Sequence, residues 1–237
     1  MIALVTGTSR GLGKAIVEVL NADGVFVREL HHAEFDQFLS NIHNTGNIDI
    51  LVNNAGIYGP IGDFSGRSMS EWAKCIEVDL LFPVRLMKRV LPGMVKRGYG
   101  KIINISGGGA TRGRPNFSAY STAKTALVRF TETLAEEVKE YHIDVNAVAP
   151  GMMYSALTDR VIAAGPGVAG EKDYQDALAC KERNIGPEKA AQLVAWLASH
   201  DSDGITGKLI SVHDPWEAFS RNRGLVDGER YTLRRLT

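Results

Sequence analysis

The 237-residue chain contains 27 basic and 27 acidic side chains, so its net charge is zero, and 44% of its residues are hydrophobic. This balance argues against a global electrostatic attraction to nucleic acid or to an anionic membrane, and the length suits one α/β domain. No apolar run approaches the ~18 residues of a membrane span, and no signal peptide is recognisable. Because Cys75 and Cys180 have no metal-ligand spacing, we expect a cytoplasmic protein with reduced thiols and no metal.

The first element is a short apolar run, Ile2 to Val5, which we interpret as a buried parallel strand. The glycine-rich sequence TGTSRGLG (Thr6 to Gly13) follows, and then a helical stripe of apolar residues that ends at Gly24. A glycine turn between a strand and a helix lets a pyrophosphate approach the free N–H groups of the helix N-terminus. The pattern therefore predicts a dinucleotide site, and the alternative is a glycine-rich turn without a ligand.

The next elements are a strand from Val25 to Leu30 and a short helix from Glu34 to Asn44. The apolar side of that helix is formed by Phe35, Phe38, Leu39 and Ile42. A third strand, Ile48 to Asn54, runs into NNAG (Asn53 to Gly56). Ligands of open parallel sheets bind at the carboxyl ends of strands, so we expect cofactor contacts at NNAG.

A polar loop then leads to a long helical run that ends near Gly98, and Ser70 is its expected N-cap. Pro83 lies inside this run and Pro92 near its end, so we expect a kink or break. Lys101 to Ile105 is the fourth strand, and GGGA (Gly107 to Ala110) follows it.

A second long helical run, Ser118 to Tyr141, contains YSTAK, in which Tyr120 and Lys124 lie one turn apart on the same face. A positive charge beside a phenol favours the phenolate, so we expect Lys124 to lower the pKa of Tyr120 and to fit it for proton transfer. The spacing alone also occurs on ordinary helix surfaces.

Ile143 to Ala149 is the fifth strand and ends in Pro150–Gly151. The Gly/Ala-rich stretch from Met152 to Gly170 is expected to be either a mobile lid over substrate or a solvated loop. A helix from Pro187 to Ser199 and a strand from Lys208 to Val212 complete the pattern. Alternating strands and helices predict a single Rossmann-type, doubly wound parallel sheet.

We divide the chain into a dinucleotide-binding and catalytic domain, residues 1–212, and a C-terminal tail, residues 213–237. The tail contains five arginines and the apolar residues Trp216, Phe219, Tyr231 and Leu233. These anchors favour a tail that packs on the domain or on a partner subunit over a nucleic-acid arm.

Four motifs, TGTSRGLG, NNAG, YSTAK and NAVAPG, occur in the order and approximate places that they have in short-chain dehydrogenase/reductases. The chain resembles that family from Ile2 to about Val212. The resemblance implies a nicotinamide dinucleotide, hydride transfer to or from a carbonyl/alcohol substrate of low molecular weight, and a homodimer or homotetramer. The helices that contain Asp79 and YSTAK would form the subunit interface.

The resemblance also implies roles for individual residues. Tyr120 would be the acid in carbonyl reduction or the base in alcohol oxidation, and Lys124 would lower its pKa and contact the nicotinamide ribose. The remaining cofactor contacts would be Thr6, Gly7, Ser9, Arg10, Gly11, Leu12 and Gly13 around the pyrophosphate, Asn53, Ala55 and Gly56 along the adenosine, and Pro150, Gly151, Met153 and Ser155 near the nicotinamide.

The chain departs from the family at two catalytic positions. Gly107 stands where the catalytic serine normally lies, so Ser106, Thr111 or a hydroxyl of the substrate would have to replace it. Deleting one such hydrogen-bond donor reduces the rate on the order of 10²–10³. Asp79 stands where the family has an asparagine that supports a proton relay, and its charge could pair with Lys124 and weaken the effect on Tyr120.

The region between Gly13 and Asn53 is shorter than usual by roughly one strand–helix pair. His31 falls where NAD-preferring members carry an aspartate, while Arg10 lies in the glycine turn, where NADP-preferring members often have a basic residue. The cofactor is therefore expected to be NADP or NAD, with Arg10 favouring NADP. Two functional interpretations stay open: a working oxidoreductase, and a catalytically impaired member that acts as a binding or partner subunit.

Overall fold

The computed structural model describes residues 1–31, 34–40 and 47–233, and in these ranges six strands form one sheet. The strands are β1 (Ile2–Thr6), β2 (Phe26–Leu30), β3 (Ile50–Asn53), β4 (Gly100–Ile105), β5 (Ile143–Ala149) and β6 (Leu209–Ser211). Their order is β2-β1-β3-β4-β5-β6, and every adjacent pair is parallel. The predicted Rossmann-type α/β fold is confirmed.

Helices cover both faces of this sheet. They are α1 (Gly11–Ala22), α2 (Phe35–Ser40), α3 (Met69–Ile76), α4 (Phe82–Arg97), α5 (Ser118–Glu137), α6 (Ala156–Ala164), α7 (Pro166–Ala169), α8 (Glu171–Glu182) and α9 (Glu188–Ala198). Successive strand side chains alternate between the two faces, so Ala3 and Val5 pack with α1 and α9, whereas Leu4 packs with α4 and α5. Both cores are apolar, which explains why β1 and β3 consist mainly of hydrophobic residues. In the described part of the chain, no helix is long and apolar enough to cross a membrane.

The shortened region contains one strand between α1 and β3 in the described ranges, as predicted. The helix expected from Glu34 to Asn44 is described only as α2, and the predicted positions 41–44 lie outside the described residues. Phe35 and Phe38 are buried in the core with α4, as the apolar pattern indicates.

The helical run before β4 differs from the prediction in its start and in its break. Ser68 rather than Ser70 caps α3, because the Ser68 hydroxyl accepts a hydrogen bond from the amide of Glu71. The run is interrupted by a π-helical turn, Glu77–Leu81, and not at Pro92, which lies inside α4. Pro83 occupies the first turn of α4, where a missing N–H is tolerated.

Two further predictions of secondary structure were wrong. The stretch Met152–Gly170 is not the solvated loop that was one of its two interpretations, because alanine favours helices and its glycines at 165 and 170 lie at helix ends; it forms α6 and α7, and the role as a lid over substrate stays a prediction. The following helix α8 was not predicted. α5 ends at Glu137, and a separate 3-10 turn, Lys139–Tyr141, completes the expected run.

The tail packs against the sheet. Trp216 and Phe219 lie in the same core as α1 and α9. The carbonyl of Tyr231 accepts a hydrogen bond from the amide of Leu209 at 2.7 Å, so the tail runs beside the last strand. Arg129 and Glu132 of α5 bond to the backbone of Leu233. The arginines at 234 and 235 lie outside the described residues.

Candidate active site

The carboxyl ends of β1 and β3 form the point where the chain changes direction across the sheet. From β1 the chain goes to β2 on one side and returns to β3 on the other, which opens a crevice between the two strand ends. The Thr6 hydroxyl accepts hydrogen bonds from the amides of Asn54 and Ala55, both at 3.0 Å. The Asn54 side chain in turn donates to the carbonyls of Thr6 and Gly7. These bonds fix the glycine turn to the end of β3.

The glycine turn packs so closely that side chains are excluded at two positions. Gly7 has φ +68°, and a Cβ there would lie 2.9 Å from the Cα of Ala55. A Cβ on Gly13 would lie 2.1 Å from the carbonyl oxygen of Gly7. Arg10 is the N-cap of α1 in an extended conformation and makes no side-chain cap, so the first N–H groups of the helix are not used by that residue.

These features fit the pyrophosphate of a nicotinamide dinucleotide. Ser9, Arg10 and Gly11 are exposed at the helix N-terminus, where backbone N–H groups and the helix dipole favour an anion. Leu12 and Gly13 are buried beneath them and support the turn. Among the described residues, the buried hydroxyls of Thr8 and Ser106, next to β1 and β4, have no hydrogen-bond partner in the protein.

Of the four NNAG residues, Asn53 and Asn54 support the fold, whereas Ala55 and Gly56 lie at the crevice. The Asn53 side chain, expected along the adenosine, is buried and donates to the Asn104 side chain at 2.8 Å. The Asn53 side chain therefore supports the fold, and a contact of this residue with the adenosine stays a prediction. Asn54, which sequence reasoning did not single out, holds the glycine turn instead. Ala55 and Gly56 follow at the crevice.

Lys124 and Asp79 meet at the end of β4. The Lys124 ammonium donates to the carbonyl of Ile105 at 3.0 Å and lies 3.2 Å from Oδ2 of Asp79. The other oxygen of Asp79 accepts from the amide of Ile57 at 2.8 Å. Asp79 is fully buried, and burial raises the pKa of its carboxyl, although Lys124 and Ile57 oppose the change. A Cβ on Gly56 would come within 3.4 Å of both charged groups.

Tyr120 is buried beside this ion pair, with 6% of its surface exposed. Its ring centroid lies 5.6 Å from the Lys124 ammonium. Burial raises the pKa of Tyr120 well above its usual range, and the negative charge of Asp79 adds to the increase. We predicted that Lys124 lowers the pKa of Tyr120, and this prediction was wrong. Burial disfavours the phenolate, and Asp79 neutralises the lysine.

Gly107 and Tyr120 are in direct contact. A Cβ on Gly107 would lie 2.0 Å from the Tyr120 hydroxyl oxygen, so the hydroxyl occupies space that a serine side chain would need. Gly109 is equally close to α5, since a Cβ there would lie 2.2 Å from the Ser121 hydroxyl. Gly107 and Gly109 therefore let the loop after β4 pack closely against α5.

The residues after β5 close the other end of the crevice. Gly151 has φ +72°, and a Cβ on it would lie 2.9 Å from Val212 and 3.3 Å from the His213 ring. Pro150 is half-buried at the strand end, and Met153 packs against the core of α1 and α9. Ser155 is the N-cap of α6, and its hydroxyl accepts from the Leu157 amide.

A cluster of Tyr58, Phe117 and Arg114 covers Tyr120, and no sequence motif indicated this cluster. The ring of Tyr58 lies perpendicular to that of Tyr120, with centroids 4.7 Å apart. The guanidinium of Arg114 stacks 3.8 Å from the ring of Phe117 and bonds to Asp173 of α8 at 2.8 Å. These contacts join the loops after β3 and β4 to α8. Only a three-dimensional arrangement could reveal them, because the partners are far apart in sequence.

Comparisons with known proteins agree with this architecture. A family model described as Enoyl-(Acyl carrier protein) reductase matches residues 31–214. The chain is 31% identical to the 3-oxoacyl-[acyl-carrier-protein] reductase FabG of Vibrio cholerae, over 90% of this chain and 95% of that protein.

Two solved structures are similar. The aldohexose dehydrogenase of Thermoplasma acidophilum is 29% identical with a TM-score of 0.77, and the match covers 89% of this chain and 91% of that one. A putative NAD(P)-dependent gluconate 5-dehydrogenase from Beutenbergia cavernae, with bound NADP, is 25% identical with a TM-score of 0.75, covering 92% and 96%. The family match, the level of identity and the shared fold together identify the chain as a member of the short-chain dehydrogenase/reductase family of NAD(P)-dependent oxidoreductases.

Proposed function

We propose that this protein transfers a hydride between a nicotinamide cofactor and a carbonyl/alcohol carbon, with Tyr120 as acid or base and Lys124 as its partner. The observation that carries the proposal is the position of Tyr120. It lies beside Lys124 and the carboxyl end of β4, on the same sheet edge as the glycine turn. Acid–base and cofactor-binding groups thus share one crevice.

The nicotinamide supplies the redox chemistry when the cofactor is bound, by donating or accepting the hydride. The protein's own residues orient the reactants and move the proton. Gly7, Gly11 and Gly13 would hold the pyrophosphate, and Pro150 and Gly151 would border the nicotinamide end. Tyr120 would give its phenolic proton to the carbonyl oxygen during reduction, or take the proton from the alcohol during oxidation.

The state of the proton on Tyr120 favours the acid role. Because burial and Asp79 raise the pKa of Tyr120, the phenol stays protonated at neutral pH and can donate. Lys124 is held by Ile105 and Asp79, so it remains close to Tyr120 and can hydrogen-bond a ribose hydroxyl. Asp79 then acts on Tyr120 through Lys124 and through its own charge.

We propose NADP or NAD as the cofactor, with Arg10 favouring NADP. Arg10 is exposed at the glycine turn, where a guanidinium can pair with the 2′-phosphate of NADP. The NADP-bound state of the Beutenbergia cavernae relative supports this choice. Arg10→Ala should weaken NADPH binding more than NADH binding, and equal weakening would argue against the preference.

The first experiment titrates the protein with NADPH and NADH and follows nucleotide fluorescence, and then measures turnover with a panel of aldehydes and ketones. Turnover that Tyr120→Phe abolishes, with cofactor affinity unchanged, is the expected result. Absence of binding to either nucleotide would contradict the proposal. Turnover that survives Tyr120→Phe would show that another group transfers the proton.

A catalytically impaired binding or partner subunit is the second candidate, because the serine position is Gly107 and Tyr120 is almost fully buried. Nucleotide binding without turnover on any carbonyl would favour it. For either function we propose a homodimer or homotetramer through the helices that carry Asp79 and Tyr120. Analytical ultracentrifugation would test this assembly.

A further inference from the structure

We propose that the Tyr58 hydroxyl supplies the hydrogen bond to the reacting substrate oxygen that the serine at position 107 would otherwise supply. This role rests on the proposed oxidoreductase function and adds a second catalytic phenol to it. In carbonyl reduction the hydride would bind the carbonyl carbon and Tyr120 would give its proton to the oxygen. Tyr58 would keep its own proton throughout and stabilise the negative charge that develops on that oxygen.

The first argument is location. Tyr58 lies in the loop after β3, at the carboxyl edge of the sheet, and its ring is edge-on to Tyr120 at 86° with centroids 4.7 Å apart. Phe117 supports Tyr58 from another direction, with centroids 5.2 Å apart. Tyr58 is 9% exposed, so packing holds the ring in one place.

The second argument is the direction of the Tyr58 proton. The Arg114 guanidinium lies 5.1 Å from the Tyr58 ring centroid. A guanidinium has five donors and no acceptor, so Arg114 cannot accept the phenolic proton of Tyr58. The phenolic proton of Tyr58 therefore remains available for another acceptor. Asp173 holds Arg114 in this position through a 2.8 Å ion pair.

The third argument is that the other hydroxyls near Gly107 are poorly suited. The Ser106 hydroxyl is inaccessible to solvent, so a substrate cannot reach it without rearrangement of the loop. Thr111 is exposed on the far part of the loop. The Ser121 hydroxyl is also inaccessible and lies against Gly109. A serine at 107 itself would overlap the Tyr120 hydroxyl.

The test compares Tyr58→Phe, which keeps the ring and removes only the hydroxyl, with wild type and with a matched control. Tyr141→Phe is that control, because Tyr141 is exposed in the 3-10 turn beyond α5. We expect Tyr58→Phe to lower kcat by about 10²–10³, the effect of losing one such donor, with the nucleotide Kd and Tm unchanged. Tyr141→Phe should match wild type in all three quantities.

A double-mutant cycle separates the hydroxyl from packing and keeps the test valid if one variant is less stable. Arg114→Met should lower kcat in the wild-type background and have little further effect in the Tyr58→Phe background, because Arg114 packs over the Tyr58 ring and would act by positioning its hydroxyl. If the double variant lost kcat by the product of the two single-variant effects, the proposed coupling between Arg114 and Tyr58 would be overturned.

The outcomes also distinguish this role from the proposed function. A Tyr58→Phe enzyme with wild-type kcat, beside an inactive Tyr120→Phe enzyme, would overturn the Tyr58 role and leave the oxidoreductase function in place. A wild-type protein that neither binds nucleotide nor reduces any carbonyl would overturn both, and this result is seen before any variant is made.

Discussion

Asp79→Asn isolates the effect of one buried charge on the acid–base chemistry of Tyr120. The change keeps the shape of the side chain and removes a carboxylate that lies 3.2 Å from the Lys124 ammonium. An asparagine oxygen can still accept from the Ile57 amide, whereas the amide NH2 that replaces Oδ2 cannot accept from Lys124. The substitution therefore removes an anion that raises the pKa of Tyr120 and leaves Lys124 without its counter-charge.

The expected magnitude follows from Coulomb's law. A unit charge at 5.6 Å, the distance from the Lys124 ammonium to the Tyr120 ring, contributes about 3 kcal/mol at an effective dielectric constant of about 20. The change on removing Asp79 is smaller than this energy, because Asp79 screens only part of the lysine charge. We therefore expect Asp79→Asn to lower the pKa of Tyr120.

The assay is the pH dependence of kcat/KM for alcohol oxidation, measured from about pH 8 up to the alkaline limit at which the enzyme stays folded. Oxidation needs the deprotonated phenol, so the rate rises with pH through the pKa of Tyr120. A lower pKa should move this rising limb of Asp79→Asn toward lower pH. Carbonyl reduction needs the protonated phenol, so its rate falls as the pH rises through the pKa of Tyr120. This falling limb should also move toward lower pH in Asp79→Asn.

A matched control removes another buried charge from a Lys–Asp pair. Asp144 lies 2.7 Å from buried Lys101 at the opposite end of the sheet, so Asp144→Asn should reduce stability without moving either limb. An unchanged limb in Asp79→Asn, or one displaced toward higher pH, would refute the electrostatic coupling between Asp79 and Tyr120.

Three further changes test other parts of the structure. Gly107→Ser should lower kcat at least about 10²-fold in steady-state assays, because the new Cβ would overlap the Tyr120 hydroxyl; a faster enzyme would refute this contact. Phe219→Ala should lower the free energy of unfolding in urea by about 3–5 kcal/mol, because the ring is fully buried; a loss below about 1 kcal/mol would show that the tail is not part of the core. Burial raises the pKa of Cys75 to about 12 from 9.0, so the folded state binds the thiol proton more tightly and this residue should reduce stability as pH rises above 9. Cys75→Ala should lose less stability than wild type between pH 9 and pH 11 in urea melts, and an identical alkaline decline would contradict the coupling.

Local signals in the sequence were sufficient for the sheet. β1 and β3 are buried runs that end at a polar residue, and the turn at Gly7 to Gly13 requires backbone freedom that is visible in the residue types. The position of YSTAK at the start of α5 was likewise predictable, because Ser118 begins a long helical run. These features depend on neighbours in sequence, so periodicity and glycine spacing reveal them.

The protonation state of the site was not predictable, because it depends on contacts between distant segments. Asp79 and Lys124 are far apart in the chain and meet only when the π-helical turn and α5 pack together. The Arg114–Asp173 pair likewise joins the loop after β4 to α8, a helix that the sequence pattern did not indicate. The sequence indicated that Asp79 could pair with Lys124, and the structure contains that pair, but the sequence could not show the burial that raises the pKa of Tyr120.

The two departures from the family pattern act on Tyr120 in the same direction. Glycine at position 107 lets the loop approach until the phenol is nearly sealed from water, and desolvation favours its neutral form. Asp79 adds a buried negative charge, which also favours the neutral form. A serine and an asparagine would reverse both effects, since one needs space beside the hydroxyl and the other carries no charge. Gly107 and Asp79 therefore both keep the buried phenol of Tyr120 protonated. We expect the phenol to release its proton only when negative charge develops on the substrate oxygen. Changing either residue alone should leave the other effect in place, so Asp79→Asn should lower the pKa of Tyr120 only part of the way toward its usual value.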